Sequence, residues 1–205
     1  MVEFIWSNNN KNFNYDPNKN YLLYFRGCCC PPHKGHLQSI QEIVQNRTNF
    51  VIIIDQLGTQ SRHGVPFRIS REIWKEFIKY SLPQVKVILE KGQFFQKHWK
   101  HHFDNINTVL FVRGDEGKIS HSKIEQHFNH KHQYKLRFFK KHNIEVFYYG
   151  GIRDPKLSAT HFVTHLLRNR HVFDLDHIYD FLPNSLPQKL ALRILSYLKR
   201  CSLII

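Results

Sequence analysis

The chain has 205 residues, 41% of them apolar and seventeen of them Phe, and a formal net charge of +14 before any histidine is counted. That length and apolar content argue against a disordered chain and suit one domain with a modest C-terminal extension. The charge calls for an anionic partner without choosing among nucleotides, pyrophosphate, nucleic acid and an acidic membrane surface.

Residues 1–20 read as a polar N-terminal arm, Asn-rich at its centre, with Phe4, Ile5 and Trp6 pinned to the body. Residues 21–25 are an apolar, aromatic run of strand length. The chain then breaks at Gly27 and passes Pro31 and Pro32. It reaches His33-Lys34-Gly35-His36 just before a helical stripe formed by Leu37, Ile40, Ile43 and Val44. Residues 49–55 are a continuous apolar run, the pattern of a parallel strand covered on both faces. A loop carrying Arg62, His63 and Arg68 leads to Ser70, a candidate N-cap for a helix built on Ile73, Trp74, Phe77, Ile78 and Tyr80. Further strands are expected at 85–89, 108–112 and 145–149, with helices at 94–103 and 120–141 between them. The turn at 113–117 holds Asp115, and Ser158 is a natural N-cap for a helix containing Phe162, Leu166 and Leu167. Residues 171–205 have a helical pattern and are expected to pack on the body or on a second subunit of a homo-oligomer.

Strand and helix alternate five times, which predicts an α/β, Rossmann-like open parallel sheet of about five strands over residues 21–170. In such sheets ligands sit beyond the C-terminal ends of the strands, where strand order reverses. Cys28, Cys29 and Cys30 are adjacent and Cys201 stands apart, which is no disulfide framework and suits a reducing, cytoplasmic setting. Three neighbouring thiols cannot readily converge on one tetrahedral zinc, so no metal site is expected there. Residues 1–6 are too short for a secretory signal, and no apolar run approaches the roughly 20 residues of a membrane span. The His-rich stretches at 97–103 and 127–132 lack fixed metal-ligand spacing and read as solvated helix faces.

A strand that turns through Gly and Pro into a helix N-terminus leaves backbone N–H groups without partners, at the positive end of the helix dipole. His33 and His36 are three apart and share a face, and Lys34 adds a fixed charge, so the turn suits a phosphate. Gly27, Pro31, His33, Gly35 and His36 stand in the register G-x-x-x-P-x-H-x-G-H. This resembles the signature of the nucleotidyltransferase superfamily, which includes cytidylyltransferases, nicotinamide/nicotinate mononucleotide adenylyltransferases and pantetheine-phosphate adenylyltransferases. Cys29 stands where the family usually carries Phe. Downstream, Leu157-Ser158-Ala159-Thr160 is similar to the family's I-S-S-T-x-x-R motif, with Val163 where the Arg belongs. Arg153, Lys156, Arg168 and Arg170 are the candidates to replace it.

The resemblance covers residues 21–170 and implies roles. His33, His36 and Lys34 would stabilise charge on the phosphates during transfer. Arg26, Gly27, Gly35, Asp115, Ser158 and Thr160 would hold the nucleotide. Arg62, His63 and Arg68 would hold the second substrate. Mg²⁺ would come with the NTP, carried by phosphate and water. The wording P-P-H-x-G-H-L is similar to the mononucleotide adenylyltransferases that complete NAD synthesis, which favours ATP and a small phosphorylated acceptor. Cytidylyl transfer to a phosphorylated alcohol is the alternative. From another class, the charge also fits a non-catalytic nucleotide- or RNA-binding module that has kept the fold.

Overall fold

The computed structural model describes residues 2–6, 13–27, 31–56, 65–92, 103–115, 120–152, 157–169, 174–184 and 186–201. The described strands are β1 (Val2–Trp6), β2 (Tyr21–Gly27), β3 (Phe50–Gln56), β4 (Lys86–Glu90), β5 (Thr108–Asp115) and β6 (Glu145–Ile152). The helices are α1 (Lys34–Val44), α2 (Phe67–Ser81), α3 (His121–Lys141), α4 (Ala159–Arg168), α5 (Asp176–Tyr179) and α6 (Gln188–Lys199). The strands form one sheet in the order β1-β6-β5-β2-β3-β4, and every pairing is parallel. The α/β, Rossmann-like expectation is therefore correct. Strand order runs outward from β2 to β4 on one side and resumes at β5 on the other. The topological switch thus lies between β2 and β5, beside the N-terminus of α1.

Side chains alternate across the sheet, so each strand feeds two cores. Tyr21, Leu23 and Phe25 face the layer of α1, α2, α4, α5 and α6, together with Ile52, Ile54 and Leu110. Leu22 and Tyr24 face α3, where Phe128 and Phe139 meet Phe111 and Tyr148. Residues 21–25 are buried throughout, as a central strand covered on both faces must be.

Two expectations change. The polar arm begins as a sixth strand: β1 pairs with β6 from Val2–Val146 to Trp6–Gly150. Its later part is also packed, with Phe13 against Tyr21 at 5.4 Å and the Tyr15 hydroxyl donating to Asn49 at 2.6 Å. Ser70 is not an N-cap. Helix α2 starts at Phe67 behind Pro66, whose carbonyl accepts from both Ile69 and Ser70. The fixed φ of proline suits that position, and Ser70 is buried one turn in. Leu167 faces outward, 41% exposed. The expected helix at 94–103 lies outside the described residues except for Phe103.

The C-terminal helices lie on the body. Ile178, Phe181, Leu186, Ile194 and Leu198 are part of the same core as α1 and α2. Arg193 and Tyr197 donate to Glu76 of α2 at 2.9 and 3.3 Å. Among the described residues, no helix is long and apolar enough to cross a membrane.

Candidate functional site

The turn between β2 and α1 sits at the switch point. His33 is the N-cap of α1, four residues before the expected stripe begins at Leu37, and is 1% exposed. Its backbone N–H donates to Nδ1 of His36 at 3.2 Å, and the two rings lie 3.7 Å apart between centroids. The paired histidines are thus a built feature, tied to each other and to the first helical turn. Phe25 and Trp74 stand behind His36 at 6.0 and 6.4 Å. Lys34 is half-buried, and its backbone N–H donates to the carbonyl of Phe181 at 2.7 Å.

The second turn, between β6 and α4, meets the first at Gly35. A Cβ placed there would lie 3.2 Å from the Leu157 Cβ and 3.2 Å from Nδ1 of His33. Glycine lets the two turns approach this closely. One residue past Leu157, the Ser158 hydroxyl caps α4 by accepting from the His161 N–H at 3.0 Å, as expected. That hydroxyl keeps its proton for another acceptor. An open groove of about 460 Å³ runs along α4, lined by Ser158, Thr160, His161, Thr164, His165 and Arg168. Burial depresses the His165 imidazole below its ordinary value, with His177 and His161 adding repulsion. Val163, at the motif's Arg position, is buried and packs in the core. Arg168 ends α4, about 13 Å along the axis from its first residue, Ala159, at 1.5 Å per residue. Arg153, Lys156 and Arg170 lie outside the described residues.

The remaining expected residues divide. Arg26 lies on the α3 side of the sheet, where its Nε is 3.7 Å from Asp55. Asp55 is 1% exposed and also accepts a hydrogen bond from the Tyr24 hydroxyl, whose pKa is raised by burial and by that carboxylate. Asp115 ends β5 opposite Ile152 of β6, so its backbone is at the same edge of the sheet. Arg68 is exposed in the first turn of α2. Arg62, His63 and Cys28–Cys30 lie outside the described residues. Sequence reasoning did not place Phe181, Trp74 or Asp55 beside these residues. Asp55 alone carried a local signal, a carboxylate closing an otherwise apolar strand.

No family profile matches the sequence. No curated protein matches it either. Solved structures do. A bifunctional NMN adenylyltransferase/ADP ribose pyrophosphatase from Francisella tularensis, complexed with AMP and Mn ion, superposes with a TM-score of 0.52 at 17% identity, over 91% of this chain and 51% of that one. A second structure of a protein of that name from the same organism gives a TM-score of 0.52 at 15% identity, over 91% and 51%. The chain spans about half the length of these proteins. The likeness is one of fold: this chain has the architecture on which those nucleotidyltransferases are built.

Proposed function

We propose that the chain is a nucleotidyltransferase. It would transfer a nucleoside monophosphate from an NTP, ATP in preference to CTP, to a phosphorylated acceptor such as nicotinamide or nicotinate mononucleotide, with release of pyrophosphate. The observation that carries this reading is the approach of the two turns at Gly35 and Leu157. It brings a helix N-terminus bearing two imidazoles and a lysine beside a second helix N-terminus bearing a hydroxyl. Two such ends supply backbone N–H groups and positive dipole ends to one polyphosphate. The shared fold supports the reading without carrying it.

In the proposed step an acceptor phosphate oxygen attacks the α-phosphorus in line. The new P–O bond forms as the bond to the β-phosphate oxygen breaks, and pyrophosphate leaves with the electron pair. Such a transfer needs positioning and charge stabilisation, and no covalent nucleophile. His33 and His36 would donate to the α- and β-phosphate oxygens, and Lys34 would neutralise the leaving group from the same turn. Ser158 and Thr160 would hold the pyrophosphate at the start of α4. Because Val163 is buried and Arg168 is a helix length away, Lys34 is the described cation best placed to replace the motif's Arg. Among the described residues, no group of three His, Cys, Asp or Glu is arranged to hold a metal ion. The donor set fits a Mg²⁺ carried by the triphosphate, which would neutralise charge on its oxygens.

The test is pyrophosphate release from ATP, CTP and GTP with each candidate acceptor. ATP with a mononucleotide acceptor should give the fastest release. His36→Ala should lower turnover at least tenfold with unchanged circular dichroism, in line with the loss of a transition-state donor. Faster release with CTP overturns the choice of nucleotide. Unchanged turnover in the variant overturns the site.

A further inference from the structure

Helix α3 carries an ordered set of polar residues that the transfer reaction does not use. Lys123, His127, His130, Tyr134, Arg137 and Lys141 follow one another at spacings of four and three, which on a helix traces one line. All six are exposed, while Phe128, His132 and Phe139 turn the opposite side into the core. The line is about 27 Å long at 1.5 Å per residue. Exposed Lys131 and Lys140 flank it. The helix has a single carboxylate, Glu125, which is half-buried and accepts from the Trp6 indole at 3.3 Å. Tyr134, at the centre, is 71% exposed.

We propose that this line is a docking surface for single-stranded RNA, with Lys and Arg on successive phosphates and one base stacked on Tyr134. Complementarity of charge selects a polyanion, and the long-range field of a +14 chain would steer it there. Tyr134 selects a polymer with unstacked bases over a duplex, since a ring on a cationic track is how single strands are held without sequence preference. A membrane surface fits poorly. An amphipathic helix enters a bilayer by its apolar face, and here that face is committed to the sheet. An acidic protein partner would need an apolar patch around Tyr134, and its neighbours on the line, His130 and Arg137, are polar.

The experiment uses the full chain and a fluorescein-labelled 20-nucleotide single-stranded RNA, with anisotropy read across a salt series. Tight binding that weakens steeply with salt is expected. Replacing three cations together (Lys123→Gln, Arg137→Gln and Lys141→Gln) should reduce the log–log salt slope by about 2, at about 0.7 per lost phosphate contact. Tyr134→Ala should weaken binding at least about fivefold at fixed salt and leave the slope unchanged. Since all four side chains are exposed, both variants should keep the thermal midpoint of the parent. Variants that bind as the parent does overturn the surface. Tighter binding to a duplex RNA of equal length, or to phosphatidylserine vesicles, overturns the choice of ligand. No NTP is present in this assay, so its failure is distinguishable from failure of the transfer reaction.

Discussion

His132 lies between Phe111 and Phe128, with ring centroids 5.4 and 4.7 Å away, and is 8% exposed. The expectation that the histidines of residues 127–132 are solvated therefore holds for His127 and His130 and fails here. The line of Ile124, Phe128 and Phe139 continues through position 132, and helical geometry turns it inward whatever its chemistry. Burial pushes the His132 pKa down to about 3, helped by repulsion from Lys135, Lys131, Arg26 and His127. The ring is thus neutral in the folded chain. Below about pH 6.5 the unfolded chain takes up a proton that the folded chain refuses, so this residue costs stability progressively as pH falls from 6.5 toward 3. His132→Phe, which suits the aromatic surroundings, removes that penalty. In urea titrations the stability of the variant should gain on the parent by about 2 kcal/mol between pH 7.5 and pH 5, at about 1.4 kcal/mol per pH unit. A stability difference that stays constant across that range would show that His132 takes up its proton as readily in the fold as in the unfolded chain.

At the scale of elements, the four inner strands β2, β3, β5 and β6 were legible because parallel strands covered on both faces must be apolar at nearly every position. Residues 21–25, 49–55 and 108–112 meet that condition without help from the rest of the chain. β1 was not legible. It is short, contains Glu3, precedes an Asn-rich stretch and pairs with a strand 144 residues away at Val2–Val146. The site divides in the same way. The two turns could be read because each follows a strand and carries its own Gly, Ser or His. The Phe181 carbonyl on Lys34 and the Arg26–Asp55 pair arise from which elements become neighbours, and no local pattern records that. The β1–β6 pairing has a sharp dependence of its own. Trp6 stacks on His121 at 3.8 Å and lies against Gly150, where an added Cβ would come within 2.3 Å of the indole. Gly150→Ala must therefore displace Trp6 or bend β6. The expected cost is about 2 kcal/mol, within the range for overpacked cores, with a red-shifted tryptophan emission. In the background of Trp6→Ala the same substitution should cost little, because the clash is gone. Equal costs in both backgrounds would show that the indole is not what Gly150 accommodates.

For the whole molecule the open question is whether residues 171–205 are an appendage or part of the folding unit. Ile178, Phe181, Leu182, Ile194 and Leu198 are each 3% exposed or less, and all five belong to the core that α1 and α2 share with the sheet. Full burial of such a side chain is worth about 1.5–3 kcal/mol, so these five alone contribute on the order of 10 kcal/mol. That matches the roughly 5–15 kcal/mol by which a whole domain is stable. The same segment also joins the two turns of the candidate site. The Phe181 carbonyl accepts from Lys34 at the start of α1, and the Phe181 ring stacks on Phe162 of α4 at 4.3 Å. A chain ending at residue 170 should therefore fail to fold cooperatively, and the full chain should unfold in one urea transition with circular dichroism and tryptophan emission coincident. Phe181→Ala in the full chain offers a gentler probe. It should cost about 3–5 kcal/mol, as large-to-small core changes do. Because the backbone carbonyl on Lys34 survives that change, pyrophosphate release by the fraction still folded should fall only if the Phe162 stack sets the position of α4. A truncated chain with a cooperative transition of its own would instead make the C-terminal helices a separable extension, and would remove Phe181 from any role in holding the two turns together.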